Sequence, residues 1–360
     1  MILSPLGCVP KSETATETVT WFDVAGEVET IRPILVDAEE HYAILALPHC
    51  QNSPTSNIFS PDGKKIVMAG HSGTVQILDA DSGDVLQEWT GDTDWMFTAA
   101  FSPDGKKIVS GGRYNTAQIW DAESGEELHH LEAGFVLSAS FSPDGKKVAT
   151  AGYGTAQIWD AESGKKLRTF DVNQHGQYMV AFSPNGTKIV TAEGLTARIW
   201  DVDSGKVLQT WQEMEERNMG TSIKCAVFSP DGKKIVTSGE TAVRIWDVES
   251  GKELRRLKLQ SWEPRIITGS GSEPIFESAT FSPDGTKILA IHWDGIIRIW
   301  DAESGEALCR AERYSLGLRP FVAFSPDGKK IVMAGHSGTV QILDADSGDV
   351  LQEWTGVFDQ

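Results

Sequence analysis

The chain has 360 residues, 40% of them apolar, with 32 Lys plus Arg against 51 Asp plus Glu, a net charge of −19. That apolar share supplies a packed core and excludes wholesale disorder. The acidic balance repels polyanions, so nucleic acid is not the expected partner.

At the start, MILSPLGCVP has no basic region, and LSPLGC has the order of a lipoprotein cleavage box without the parts that precede one. No apolar run approaches a membrane span. A cytoplasmic location and no membrane partner are therefore expected. Residues 1–17 read as a disordered N-terminal tail and 18–57 as an N-terminal extension. Within it, TVTWFDVAGEVETI (Thr18 to Ile31) lines up with a later stretch, TVQILDADSGDVLQ, if one turn residue is dropped. Asp23 then falls on Asp79 and Gly26 on Gly83, which makes this a degenerate half repeat.

From Phe59 the chain repeats. FSPDGKKIVMAGHSGTVQILDADSGDVLQEWTG, Phe59 to Gly91, recurs residue for residue at Phe324 to Gly356. Looser copies begin at Phe101, Phe141, Phe182, Phe228 and Phe281. Each unit reads as four strands. The first ends at the Phe of FSP, with a small or β-branched residue two positions earlier, such as Ala99, Ala139 or Val180. SPDG (SPNG at Asn185) then forms a tight hairpin: Pro presets φ, Asp or Asn suits the next position, and Gly accepts positive φ. KKIV opens the second strand, and TAQIWD or a variant is the third. DAESG or DVDSG makes another hairpin into the fourth.

Four antiparallel strands cannot bury both faces alone, and radial stacking solves this. A period of about 40–50 residues with a Trp-Asp end is a propeller signature. The expected fold is all-β, a seven-bladed β-propeller of four-stranded antiparallel blades over residues 58–356, with 357–360 as a C-terminal tail. The alternative is eight blades, one of them a partial N-terminal blade begun by Thr18 to Ile31.

The Trp-Asp pairs at Trp120-Asp121, Trp159-Asp160, Trp200-Asp201, Trp246-Asp247 and Trp300-Asp301 make the chain resemble the WD-repeat family. The identical units have Leu78-Asp79 and Leu343-Asp344 instead. The resemblance implies a structural hydrogen-bond network of His, Asp, Ser and Trp. The family's Gly-His is missing throughout, and its Asp survives only as Asp294, so the blades are expected to rely on packing.

Strand direction puts the SPDG and DAESG hairpins at one end of every blade. The other end holds the turn after the second strand and the connection between blades. The hairpin face repeats almost unchanged, with Lys pairs such as Lys106-Lys107 near acidic turn residues such as Glu162, and reads as a solvated surface. The variable face differs from blade to blade. Its aromatic and Arg residues are of the types enriched in binding hot spots. The candidate partner-binding residues are Trp95, Arg113, Tyr114, Tyr153, His175, Arg217, Trp262, Arg265, Trp293 and Arg319. Phe97, Tyr178 and Phe321, close to first strands, read instead as fillers between blades, and the five Trp of Trp-Asp as blade core.

No chemistry stands out. Cys8, Cys50, Cys225 and Cys309 have no metal-ligand spacing, and Cys225 reads as a small core residue. His129 and His130 are adjacent on an outer strand and cannot converge on one ion. No nucleophile elbow or phosphate loop is present. The expectation is a monomeric, non-catalytic scaffold that binds a protein or peptide on its variable face, without cofactor or metal. The alternatives are a metal-dependent hydrolase using the central channel and a carbohydrate-binding propeller.

Overall fold

The structure is a computed structural model. It describes residues 58–354 apart from 71–72, 92–95, 114–116, 173–177, 213–222, 240–241, 258–275, 293–295, 312–320 and 335–338. The tails, the N-terminal extension and its half repeat lie outside the described residues.

Seven antiparallel sheets follow one another along the chain. Blade 2 is typical, with strands Met96–Phe101, Lys107–Gly112, Ala117–Asp121 and Glu127–Leu131 paired in chain order. In blade 1 the first, inner strand is reduced to a bridge, Phe59 with Ile66, beside Lys65–Ala69, Thr74–Asp79 and Val85–Thr90. Blade 7 is complete, from Phe321–Phe324 to Val350–Trp354. The described strands thus make a seven-bladed propeller in which each blade is built from its own repeat.

Turn chemistry sets the blades. In the first hairpin the Ser60 hydroxyl donates to Asp62 Oδ1 at 2.6 Å and accepts the Lys65 N–H at 2.9 Å, while Asp62 accepts the Lys64 N–H. These bonds hold the Asp62 carboxyl below the usual carboxylate range, the Ser60 hydroxyl being the largest cause. Blade 4 makes the same turn with neutral Asn185, which accepts from Ser183 at 2.8 Å. In the second hairpin the Asp of Trp-Asp is the acceptor. Asp121 Oδ1 takes the N–H groups of Glu123 and Ser124, and Gly125 closes the turn at φ 74°. The register slips beside the Trp or Leu of this motif in every blade, as between Ile119 and Trp120. That bulge follows from a turn ending in a left-handed Gly.

The five motif tryptophans are buried in blade cores. Four donate their indole N–H to the second strand: Trp120 to Ser110, Trp159 to Thr150, Trp200 to Thr191 and Trp246 to Thr237, at 2.8–2.9 Å. These bonds join the second and third strands of a blade without any His or Asp partner. Where Leu78 and Leu343 replace Trp, the position of that Ser or Thr holds Met68 and Met333, and all four residues are buried.

Three belts join the blades. On the inner strands, Ser138 bonds the Val180 backbone, and the buried Cys225 thiol donates to the Ala279 carbonyl at 3.0 Å. Around the hairpin face, each SPDG glycine faces the motif proline of the preceding blade. A Cβ on Gly105 would lie 3.1 Å from Pro61 Cδ, and one on Gly63 3.6 Å from Pro326 Cδ, which completes the circle. On the outer strands, one side chain per blade reaches a turn of the next. Gln209 donates to Glu249 O at 3.0 Å and Arg255 to Glu303 O at 3.1 Å; His129 meets Glu162 O, and Gln352 meets Asp81 O.

Candidate partner-binding surface

Of the ten residues expected to bind a partner, Arg113 and Tyr153 fall among the described residues. Trp95, Tyr114, His175, Arg217, Trp262, Arg265, Trp293 and Arg319 lie outside them. Arg113 directly follows the second strand of blade 2 and is half-buried. Tyr153 sits at the turn between strands Lys147–Gly152 and Thr155–Asp160 of blade 3, at the variable end.

Tyr153 caps an aromatic stack. Phe97, at the start of the first strand of blade 2, is buried as expected of a filler. Its ring lies against Phe135 with centroids 5.4 Å apart and planes at 25°. Phe135, in the connection to blade 3, meets Tyr153 at 4.6 Å and 52°. The stack rises from the core to Tyr153, which is 44% exposed. Partial burial pushes the Tyr153 phenol pKa up, so the ring stays neutral.

Glycine makes this stack possible. A Cβ on Gly152 would overlap the Phe135 carbonyl, and one on Gly111 would overlap Val136. The connection therefore lies directly on the strands of both blades. Val136 N–H donates to Gly112 O at 3.0 Å and Leu137 N–H to Ala151 O at 2.8 Å. Backbone bonds on both sides hold Phe135 in place, so the exposed ring is preorganised. Exposed Glu132 flanks the connection, and exposed Asp171 ends the fourth strand of blade 3, paired with Thr155.

Among the described residues, no group of three or more His, Cys, Asp or Glu side chains could hold a metal ion. Burial raises the Cys225 thiol to about 12, so it is a packing group and not a nucleophile.

Two features escaped the sequence reading. One is the outer donor position, occupied by Gln87, His129, Arg168, Gln209, Arg255, Cys309 and Gln352, each eight residues after a motif Asp. The shared property is a donor, not a residue type. The other is a cavity of about 570 Å³ at the channel mouth on the hairpin face, walled by the repeated FSP motif.

These features define a closed β-propeller with one repetitive face and one end whose sequence differs from blade to blade. A family model described as outer membrane protein assembly factor BamB matches residues 71–353. The chain belongs to that PQQ-type β-propeller family, and the resemblance to the WD-repeat family is corrected accordingly. The Trp-Asp ends misled because Trp there is a core residue bonded to Ser or Thr, and Asp is a turn acceptor. Any blade with this hairpin can use both. Among curated proteins none matches the chain. Among solved structures, a chain of Kuenenia stuttgartiensis hydrazine synthase is similar in fold. Its TM-score is 0.68 at 20% identity, over 83% of this chain and 97% of that one.

Proposed function

We propose that the protein is a non-catalytic, monomeric interaction scaffold whose variable face binds a protein or peptide partner through the Phe97–Phe135–Tyr153 stack. The observation that carries this reading is an exposed aromatic ring held on a preorganised base at a seam between blades. Aromatic anchors of this kind dominate interface energies. The family description, an assembly factor, supports a partner-binding role in general.

Affinity capture with the purified chain, read by mass spectrometry, tests the proposal. Tyr153→Ala is expected to weaken capture about tenfold or more and to leave the melting temperature nearly unchanged. Trp262→Ala with Arg265→Ala is a second arm for the loop residues outside the described set. Full capture by both folded variants would reject the variable face as the binding surface. A cytoplasmic location is proposed from the sequence, whereas the family description names an outer membrane process. Fractionation of cells carrying a tagged chain decides between them.

A further inference from the structure

We propose that the channel mouth on the hairpin face is a second binding site, for a small neutral ligand that is mostly apolar and carries one hydrogen-bonding group. Its cavity of about 570 Å³ falls within the range of small-molecule sites. Two motif positions wall it around the ring: phenylalanines such as Phe141, Phe228 and Phe281, and prolines such as Pro143 and Pro230. None of the described residues lining it is ionisable. A charged ligand would lose its water there without gaining a counter-charge, so the lining selects a neutral one. Proline has no N–H, so the wall is poor in competing backbone donors.

The position before the motif Phe also lines the cavity in six blades, and two of these residues carry hydroxyls: Ser140 in blade 3 and Thr280 in blade 6. Thr280 donates to the Phe281 carbonyl at 3.3 Å. Ser140 is 6% exposed, and its hydroxyl has no hydrogen-bond partner. The Ser140 hydroxyl is itself closed off from the cavity, so the half-buried Thr280 hydroxyl, held by that long local bond, is the group a ligand would meet, and it can donate or accept. The site is preformed, because the glycine of the next blade backs each proline: a Cβ on Gly186 would lie 3.6 Å from Pro143 Cδ.

N-phenyl-1-naphthylamine, a neutral fluorescent amine with one N–H, is a suitable probe. Titration into the full chain is expected to give saturable binding at one site. Its charged relative 1-anilinonaphthalene-8-sulfonate is expected to bind more weakly. Ala181→Leu, which adds bulk at the cavity wall, is expected to abolish probe binding at some cost in melting temperature, because Ala181 also packs in a buried cluster. Thr280→Val is expected to weaken it by about threefold to tenfold, the loss of one hydrogen bond. Absence of saturable binding to the wild-type chain, or unchanged affinity in the folded Ala181→Leu chain, overturns the assignment. Should Ala181→Leu fail to fold, Thr280→Val decides, and unchanged affinity there overturns the proposal. Partner capture through Tyr153 is independent of every one of these outcomes.

Discussion

Blades 1 and 7 share the sequence from Phe59 to Gly91 and from Phe324 to Gly356, yet their outer strands meet unlike neighbours. In blade 1, Trp89 packs on blade 2, where it faces Trp120 at 5.8 Å and 48°. In blade 7, Trp354 packs on blade 1, against the cluster that contains Leu78. The smaller Leu leaves room, and the Trp354 indole sits deep under the neighbouring turn. A Cβ on Gly83 would overlap it, whereas a Cβ on Gly125 would lie 3.4 Å from Trp89. The backbone-directed contacts do not differ: Gln87 reaches Glu123 O and Gln352 reaches Asp81 O. A repeat thus determines its own turns and its bonds to a neighbour's backbone. Packing at a seam belongs to two adjacent repeats together.

Acid should remove what the two blades share. Asp62 and Asp327 are both held below the usual carboxylate value of 3.8, first by the hydroxyls of Ser60 and Ser325. Asp104, Asp144, Asp231 and Asp284 are held down in the same way. A carboxyl lowered in the folded state stabilises the fold above its unfolded value, and that contribution is lost as pH falls through the folded one. Thermal unfolding followed by circular dichroism should show a flat midpoint from neutral pH to about pH 5 and a steep fall below 3.8. Asp144→Asn, which copies the natural turn of blade 4, should make that fall shallower.

The difference between the blades should appear at their glycines. Gly83 and Gly125 have φ of 77° and 74°, so alanine at either site costs about 1 kcal/mol of backbone strain. Gly83→Ala also drives a methyl group into Trp354, a further cost of about 1–3 kcal/mol. Denaturant midpoints should separate the two variants in that order. Trp354→Leu should rescue Gly83→Ala and leave Gly125→Ala unrescued.

The smallest effect lies where blade 6 meets blade 7. Its outer donor is Cys309, whose thiol reaches Ser347 O at 3.5 Å, in place of the nitrogen donors elsewhere. Cys309→Gln should raise stability by about 0.5–1 kcal/mol, read as a shift in urea midpoint.

Much of this was legible in the chain. Ser-Pro-Asp-Gly and Asp-Ala-Glu-Ser-Gly encode their turns locally, so blade count and strand order followed from short-range chemistry. The buried role of Trp120 and its counterparts followed from position in the repeat. Family membership did not, because a Trp-Asp strand end is a solution open to any blade of this shape. Phe97 and Tyr153 stood out singly, without the Phe135 ring that joins them. Their contact depends on how closely the chain approaches Gly111 and Gly152, which no local pattern declares. The channel mouth was hidden for a related reason. Each repeat contributes the same Phe and Pro, and the cavity exists only once the ring has closed.

Closure of blade 7 onto blade 1 is the point on which the account turns. Lys330 Nζ lies 2.7 Å from Asp81 Oδ1 across that seam, as Lys107 lies 2.8 Å from Glu162 and Lys234 2.8 Å from Glu303 at others. Zero-length carbodiimide cross-linking, followed by trypsin and mass spectrometry, reads all three. The repeated sequence does not confuse the result, because the peptide from Lys330 runs on to Gln360 and its copy from Lys65 to Lys106. The closed ring requires a Lys330–Asp81 cross-link beside the other two. Cross-links at Lys107–Glu162 and Lys234–Glu303 with none joining Lys330 to Asp81 would contradict it.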